Sequence, residues 1–218
     1  MVLRQTRLIA RVLFGCILAL AAISILYFGP DHPFPAMRRG VPIDVPMTEA
    51  ALRSSLVTFV LMIAYEQAAR VRKWRRNLIR AGGVFATSWI GGLLLALTLQ
   101  IVGLASAAGF DLNRDHIYAV VVGALLILRA DQLPKSRPAW FNGIALPIFA
   151  SRNDVWRRVH RASAIRLFAT GLLALLLAAF APKDSKPMAI VMGLMLIELF
   201  LATGHALWLG ATTSRREG

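Results

Sequence analysis

Six long apolar runs, divided by short clusters of charge, constrain this chain more than any other feature. They lie at approximately 8–28, 50–69, 84–106, 116–133, 165–181 and 188–210. At a rise of about 1.5 Å per residue, runs of this kind can cross the roughly 30 Å hydrocarbon core of a bilayer as α-helices. A soluble domain would spread its charges over its whole surface, whereas here they gather between the runs. The fourth and fifth runs are short when taken alone. The fourth starts at His116 and stops before Pro134, and the fifth lengthens backwards through a helix expected at 151–164. The expected fold is therefore all-α. It is a polytopic membrane protein, a single integral membrane domain over 1–218, with a six-transmembrane-helix bundle and a cytoplasmic interfacial helix leading into helix five.

Charge supplies a direction. The chain is 57% hydrophobic yet carries a formal net charge of +14, and a basic balance can signal nucleic-acid binding. With most of the chain apolar, membrane orientation explains the charge better, and no direct nucleic-acid binding is expected. Nineteen lysines and arginines fall on one side of the predicted spans: at the N-terminus, in Arg70–Arg80, between Arg129 and Arg166, and in the tail. Six fall on the other side. The positive-inside rule then places both termini in the cytoplasm. The longest outer connection, Pro30–Met47, has prolines at 30, 33, 35, 42 and 46, which predicts an extended, stiffened cap. Leu8–Phe28 is long for a signal peptide and ends in Tyr27-Phe28-Gly29-Pro30 without a small-residue cleavage site, so it is read as a retained span. The single cysteine, Cys16, excludes an intrachain disulfide.

Few residues suggest chemistry. Glu198 lies near the middle of the sixth run among Leu196, Ile197, Leu199 and Phe200, where a carboxylate must face the bundle interior, be protonated or find a partner. His205 follows two helical turns later on the same face. Arg129 and Gln100 are candidate partners. Either a proton or ligand site or a buried structural hydrogen bond accounts for these four residues. Glu66 stands four residues before Arg70, a favourable i,i+4 pair at the end of the second run. At the start of the helix preceding run five, Ser151 and Asp154 have capping-box spacing. Trp156, Val159 and Ser163 then fall on one stripe, with Arg157, Arg158 and Arg161 around it. This suits a surface helix on anionic phospholipids, or a docking face for a cytoplasmic partner. Small residues four apart, Ser88 with Gly92 and Ala202 with Ala206, allow close helix packing. His32 and His116 belong to the outer side, His160 and His205 to the inner side, so the histidines do not converge on one metal. No HExxH, CxxC, GxSxG or phosphate loop occurs, and neither a cofactor nor an enzymatic site is expected.

The segment Leu133–Arg161, LPKSRPAWFNGIALPIFASRNDVWRRVHR, resembles the signature of the SdpI-type bacterial membrane proteins. The turn Leu133-Pro134-Lys135, the Gly143-Ile144 pair with Pro147, and Val155-Trp156-Arg157-Arg158-Val159-His160-Arg161 follow that family's order. Ala145 and Leu146 stand where the family has Arg-Thr, Ile148 where it has Trp, and Ala139 where it has Asn.

The resemblance implies a non-enzymatic protein of the bacterial inner membrane. Such a protein gives immunity to a secreted membrane-active peptide toxin, and some members signal by holding a cytoplasmic repressor at the membrane. The partner surface it suggests comprises Trp140, Phe141, Asn142, Gly143, Pro147, Trp156, Arg157, Arg158, His160 and Arg161. A small proton-coupled transporter using Glu198 and His205 is the alternative reading.

Overall fold

The structure, a computed structural model, describes residues 2–38, 41–71, 75, 78–79, 81, 83–136 and 153–214. Among these residues it is all-α but for one hairpin. The elements are α1 (Val2–Phe28), β1 (Pro33–Arg38), β2 (Val41–Pro46), α2 (Met47–Arg70), α3 (Gly83–Ala107), α4 (Arg114–Gln132), a 3-10 turn (Leu133–Lys135), α5 (Asn153–Phe180) and α6 (Pro187–Ser214). All six of these α-helices are long and apolar enough to cross a membrane. Their flanks bear exposed side chains such as Leu56, Val57 and Val60 on α2, and Leu196, Leu199 and Phe200 on α6. Continuous apolar faces of this kind are tolerated when hydrocarbon covers them. This is a multi-pass membrane protein.

The chain folds into two compact units, Met1–Gln67 with Trp89–Arg114, and Ala68–Ser88 with Asp115–Gly218. In the first unit, α1 and α3 both end at a glycine of positive φ, Gly29 (91°) and Gly109 (87°). Gly29 N–H bonds Ile25 O at 3.0 Å, and Phe110 N–H bonds Ala105 O at 3.0 Å. The left-handed backbone that closes a helix in this way carries no steric penalty in glycine.

The expected cap between α1 and α2 is an antiparallel hairpin pairing Pro33 with Pro46, Pro35 with Asp44 and Met37 with Pro42. Proline has no N–H to give a ladder, so these alternate pairs must be the ones that are not hydrogen-bonded across the hairpin. The prolines therefore occupy the outward-facing donor positions, leaving few free N–H groups on either edge. The intervening residues Phe34, Ala36 and Val45 share the opposite face and turn towards the helices of this unit. Gly103 of α3 leaves room for that docking, because a Cβ there would run into the Phe34 ring.

In the second unit, α4 and α5 cross at two glycines. A Cβ on Gly171 would lie 2.7 Å from Gly123 O, and one on Gly123 2.9 Å from Gly171 O. Single mid-span glycines make this contact. Gly92 has open space where its Cβ would be, while Ala202 and Ala206 are buried as small-residue packing requires. The start of α4 also fastens two other helix ends. Asp115 Oδ2 accepts the Met188 N–H at 2.8 Å, satisfying an orphan donor in the first turn of α6, where Pro187 has none to offer. His116 Nε2 lies 3.4 Å from Ala181 O at the end of α5.

Candidate functional site

Among the described residues, the intramembrane carboxylates sit in arginine–carboxylate clusters, one in each unit. In the second, Arg166 Nε donates to Glu198 Oε2 in a very close contact, while its Nη2 reaches Glu198 Oε1 at 3.2 Å and Ser163 Oγ at 3.3 Å. The planar guanidinium meets both carboxylate oxygens, the geometry that favours arginine over lysine. Glu198 is 7% exposed. Both partners lie deep in their helices: Arg166 is about 20 Å along α5 and Glu198 about 16 Å along α6, at 1.5 Å per residue. A charge at that depth persists only with a partner, and these two neutralise each other.

This pairing corrects two expectations. Arg166 does not belong to a connection between spans but lies mid-helix in α5. The guanidinium that answers Glu198 is Arg166's, one helix away in the fifth span. Arg129 donates to Ser88 Oγ at 2.6 Å. Gln100 lies in the first unit and lines an apolar cavity there. His205 keeps its place on α6, with its ring 6.3 Å from that of Trp208 and its Nδ1 buried without a hydrogen bond.

In the first unit, Glu66 accepts from Arg11 Nε at 3.1 Å and Nη2 at 2.9 Å, and lies 3.7 Å from Arg7 Nε. Beyond the local pair expected with Arg70, two arginines from another helix reach this carboxylate. These lie one helical turn apart on α1, so both reach the same carboxylate. Nearby, Tyr65 stacks on buried Trp89 at 5.3 Å.

The basic helix before span five is the first part of α5, continuous with the span. Its stripe forms, but protein covers it. Val155 and Val159 cluster with Ala206 and Leu209 of α6, Trp156 is 2% exposed, and His160 and Ser163 are buried. Trp156 stacks on His160 at 3.9 Å, one turn away, and His160 Nδ1 bonds Trp156 O at 2.9 Å. Trp156 and His160 are buried and therefore do not belong to an exposed partner surface. Arg157, Arg158 and Arg161 remain exposed. Trp140, Phe141, Asn142, Gly143 and Pro147, and the proposed cap at Ser151, lie outside the described residues. Among the described residues, no three histidines, cysteines or carboxylates assemble as a metal site.

The half-open apolar cavity of the first unit has a volume of about 310 Å³ and is lined by the hairpin face, Ser24 of α1, the start of α2 and the second half of α3. Among the described residues its one charged lining residue is Arg53, which holds Glu49 at 2.5 Å outside the apolar wall. Sequence reading missed this cavity, although the alternation of prolines with Phe34, Ala36, Ile43 and Val45 was a signal for the strands that roof it. Compared with family models, curated proteins and solved structures, the chain finds no match.

Proposed function

We propose that this chain acts by binding rather than by catalysis or transport. In this reading it is an SdpI-type protein of the bacterial inner membrane that protects its cell from a secreted membrane-active peptide. Both termini lie in the cytoplasm, beside anionic phospholipid head groups. The observation that carries the reading is the clamping of Glu66 and Glu198 by arginines from neighbouring helices. A carboxylate held by a guanidinium is a structural tie between helices, whereas a proton-coupled carrier needs one that exchanges its proton readily. The exposed Arg157, Arg158 and Arg161 offer a charged cytoplasmic face for a repressor or for lipid phosphates.

The decisive experiment compares killing by the co-produced peptide in cells with and without this gene. Greater sensitivity on deletion, reversed by wild type and by Glu198→Gln present in the membrane at wild-type amounts, supports a binding role. Equal killing in both strains refutes immunity. Flux of a solute or protons in proteoliposomes that vanishes in Glu198→Gln would instead establish the transporter. Orientation is tested separately by an impermeant thiol reagent on Arg158→Cys in a Cys16→Ser background. Labelling of intact cells would invert the topology.

A further inference from the structure

We infer that the cavity under the hairpin binds one amphiphile of the N-acyl amino acid type, a site that goes beyond the immunity reading and does not depend on it. Four observations specify the ligand. The walls are apolar, with Phe34, Val45, Ala51, Ala96 and Leu104 among them. The space of 310 Å³ is near the lower limit of small-molecule pockets, which run from about 300 to 1,000 Å³. At about 30 Å³ for each water-sized group it takes roughly ten of them, the scale of one chain rather than a folded peptide.

Gln100 lines the cavity, is 7% exposed, and has its Oε1 buried with no hydrogen-bond partner. Lipid tails bring no donor to such an oxygen, and an unmade bond in an apolar surround is costly. The ligand must supply an N–H or O–H. Arg53, the charged lining residue, retains donors beyond those given to Glu49 and suits an anionic group.

Depth joins these two requirements. Arg53 is six residues from the start of α2, and Gln100 seven from the end of α3, so each lies about 10 Å inside the helix end nearer the hairpin. The donor and the negative charge therefore sit at a similar depth, at the hairpin end of an apolar body. An acyl chain joined through an amide to a carboxylate-bearing residue has that arrangement. An extended peptide is disfavoured, because the hairpin's prolines leave few edge donors for an added strand.

The test measures binding of N-octanoylglycine and of its ester isostere, O-octanoylglycolate, to the detergent-purified full chain by titration calorimetry. The two probes differ only in N–H against O. Wild type should bind the amide at one per chain and about tenfold more tightly than the ester. Gln100→Leu should bind both alike while remaining folded, and Ala96→Leu should weaken both by filling the cavity. Leu172→Ala, on an exposed apolar flank of the second unit, should change neither. Equal affinity of wild type for the two probes would overturn the assignment. So would binding untouched by Ala96→Leu, since that would be annular, and so would capture of a peptide in preference to the amide.

Discussion

Replacing Arg166 by methionine keeps the length and apolar stem of the side chain and removes the charge that answers Glu198. The carboxylate then stays on α6, 8% exposed in its side chain, without the guanidinium that bonded both of its oxygens. Removing one partner of a buried pair costs about 3–5 kcal/mol, because the remaining charge is stranded. Arg166 retains 31% of its side-chain exposure, so the pair is only partly enclosed by protein and the lower end, about 3 kcal/mol, is expected. The contrast lies in the double variant. Arg166→Met with Glu198→Leu removes both charges, and replacing a whole ion pair by apolar groups is often neutral or stabilising. Unfolding by sodium dodecyl sulfate in mixed micelles, followed by helical circular dichroism, reads all four proteins of the cycle. Coupling of about 2 kcal/mol or more between the two positions is the expected result. If Arg166→Met costs under about 1 kcal/mol, or the double variant is no better than the worse single one, the pair does not hold α5 to α6.

Other positions are tested by the same unfolding measurement. Gly171→Ala should lose about 1–3 kcal/mol, since its Cβ would meet Gly123 O and Ile127 within 2.8 Å. Gly193→Ala, with open space at that point, should be neutral or gain up to about 1 kcal/mol from helix propensity. Asp115→Ala should cost about 1 kcal/mol by orphaning the Met188 N–H, and Asp115→Asn clearly less, because an amide oxygen can still accept. Trp156→Ala should cost about 3–5 kcal/mol because it empties a buried site, whereas Arg157→Ala and Arg158→Ala should stay within about 0.5 kcal/mol. Equal effects at Trp156 and Arg157 would contradict the burial of the stripe.

The number of spanning helices is legible in the sequence, and the hairpin is not. The apolar run 50–69 announces α2, which covers Met47–Arg70. The run 165–181 announces only part of α5, which extends continuously from Asn153. Its polar first turns rest on α6, and no Gly or Pro interrupts them. The connection Pro30–Met47 is legible as extended chain. Its pairing is hidden because proline density argues against a strand unless the register puts every proline outward. Among the polar residues, Glu198 announces that it needs a partner, but its partner lies 32 residues away on a different span. Glu66 points to the nearest basic residue in sequence, and nothing local announces the arginines 55 and 59 residues earlier that also reach it. The glycine crossing of α4 and α5 escapes notice because one glycine per span leaves no periodic signal.

That the chain is helical and crosses a membrane follows from residue order alone. Apolar run length and the confinement of charge to run ends are local properties, and a bilayer demands internally bonded backbone of each run separately. Which guanidinium neutralises which carboxylate, which glycines touch, and which face of α5 meets protein instead of lipid are settled by assembly in three dimensions. Helical periodicity fixes the faces of one helix but carries no information about its rotation against the next, and an apolar face looks the same whether lipid or a neighbouring helix will cover it. The cavity containing Gln100 belongs wholly to that second category, because three helices and a hairpin must meet before the space between them exists.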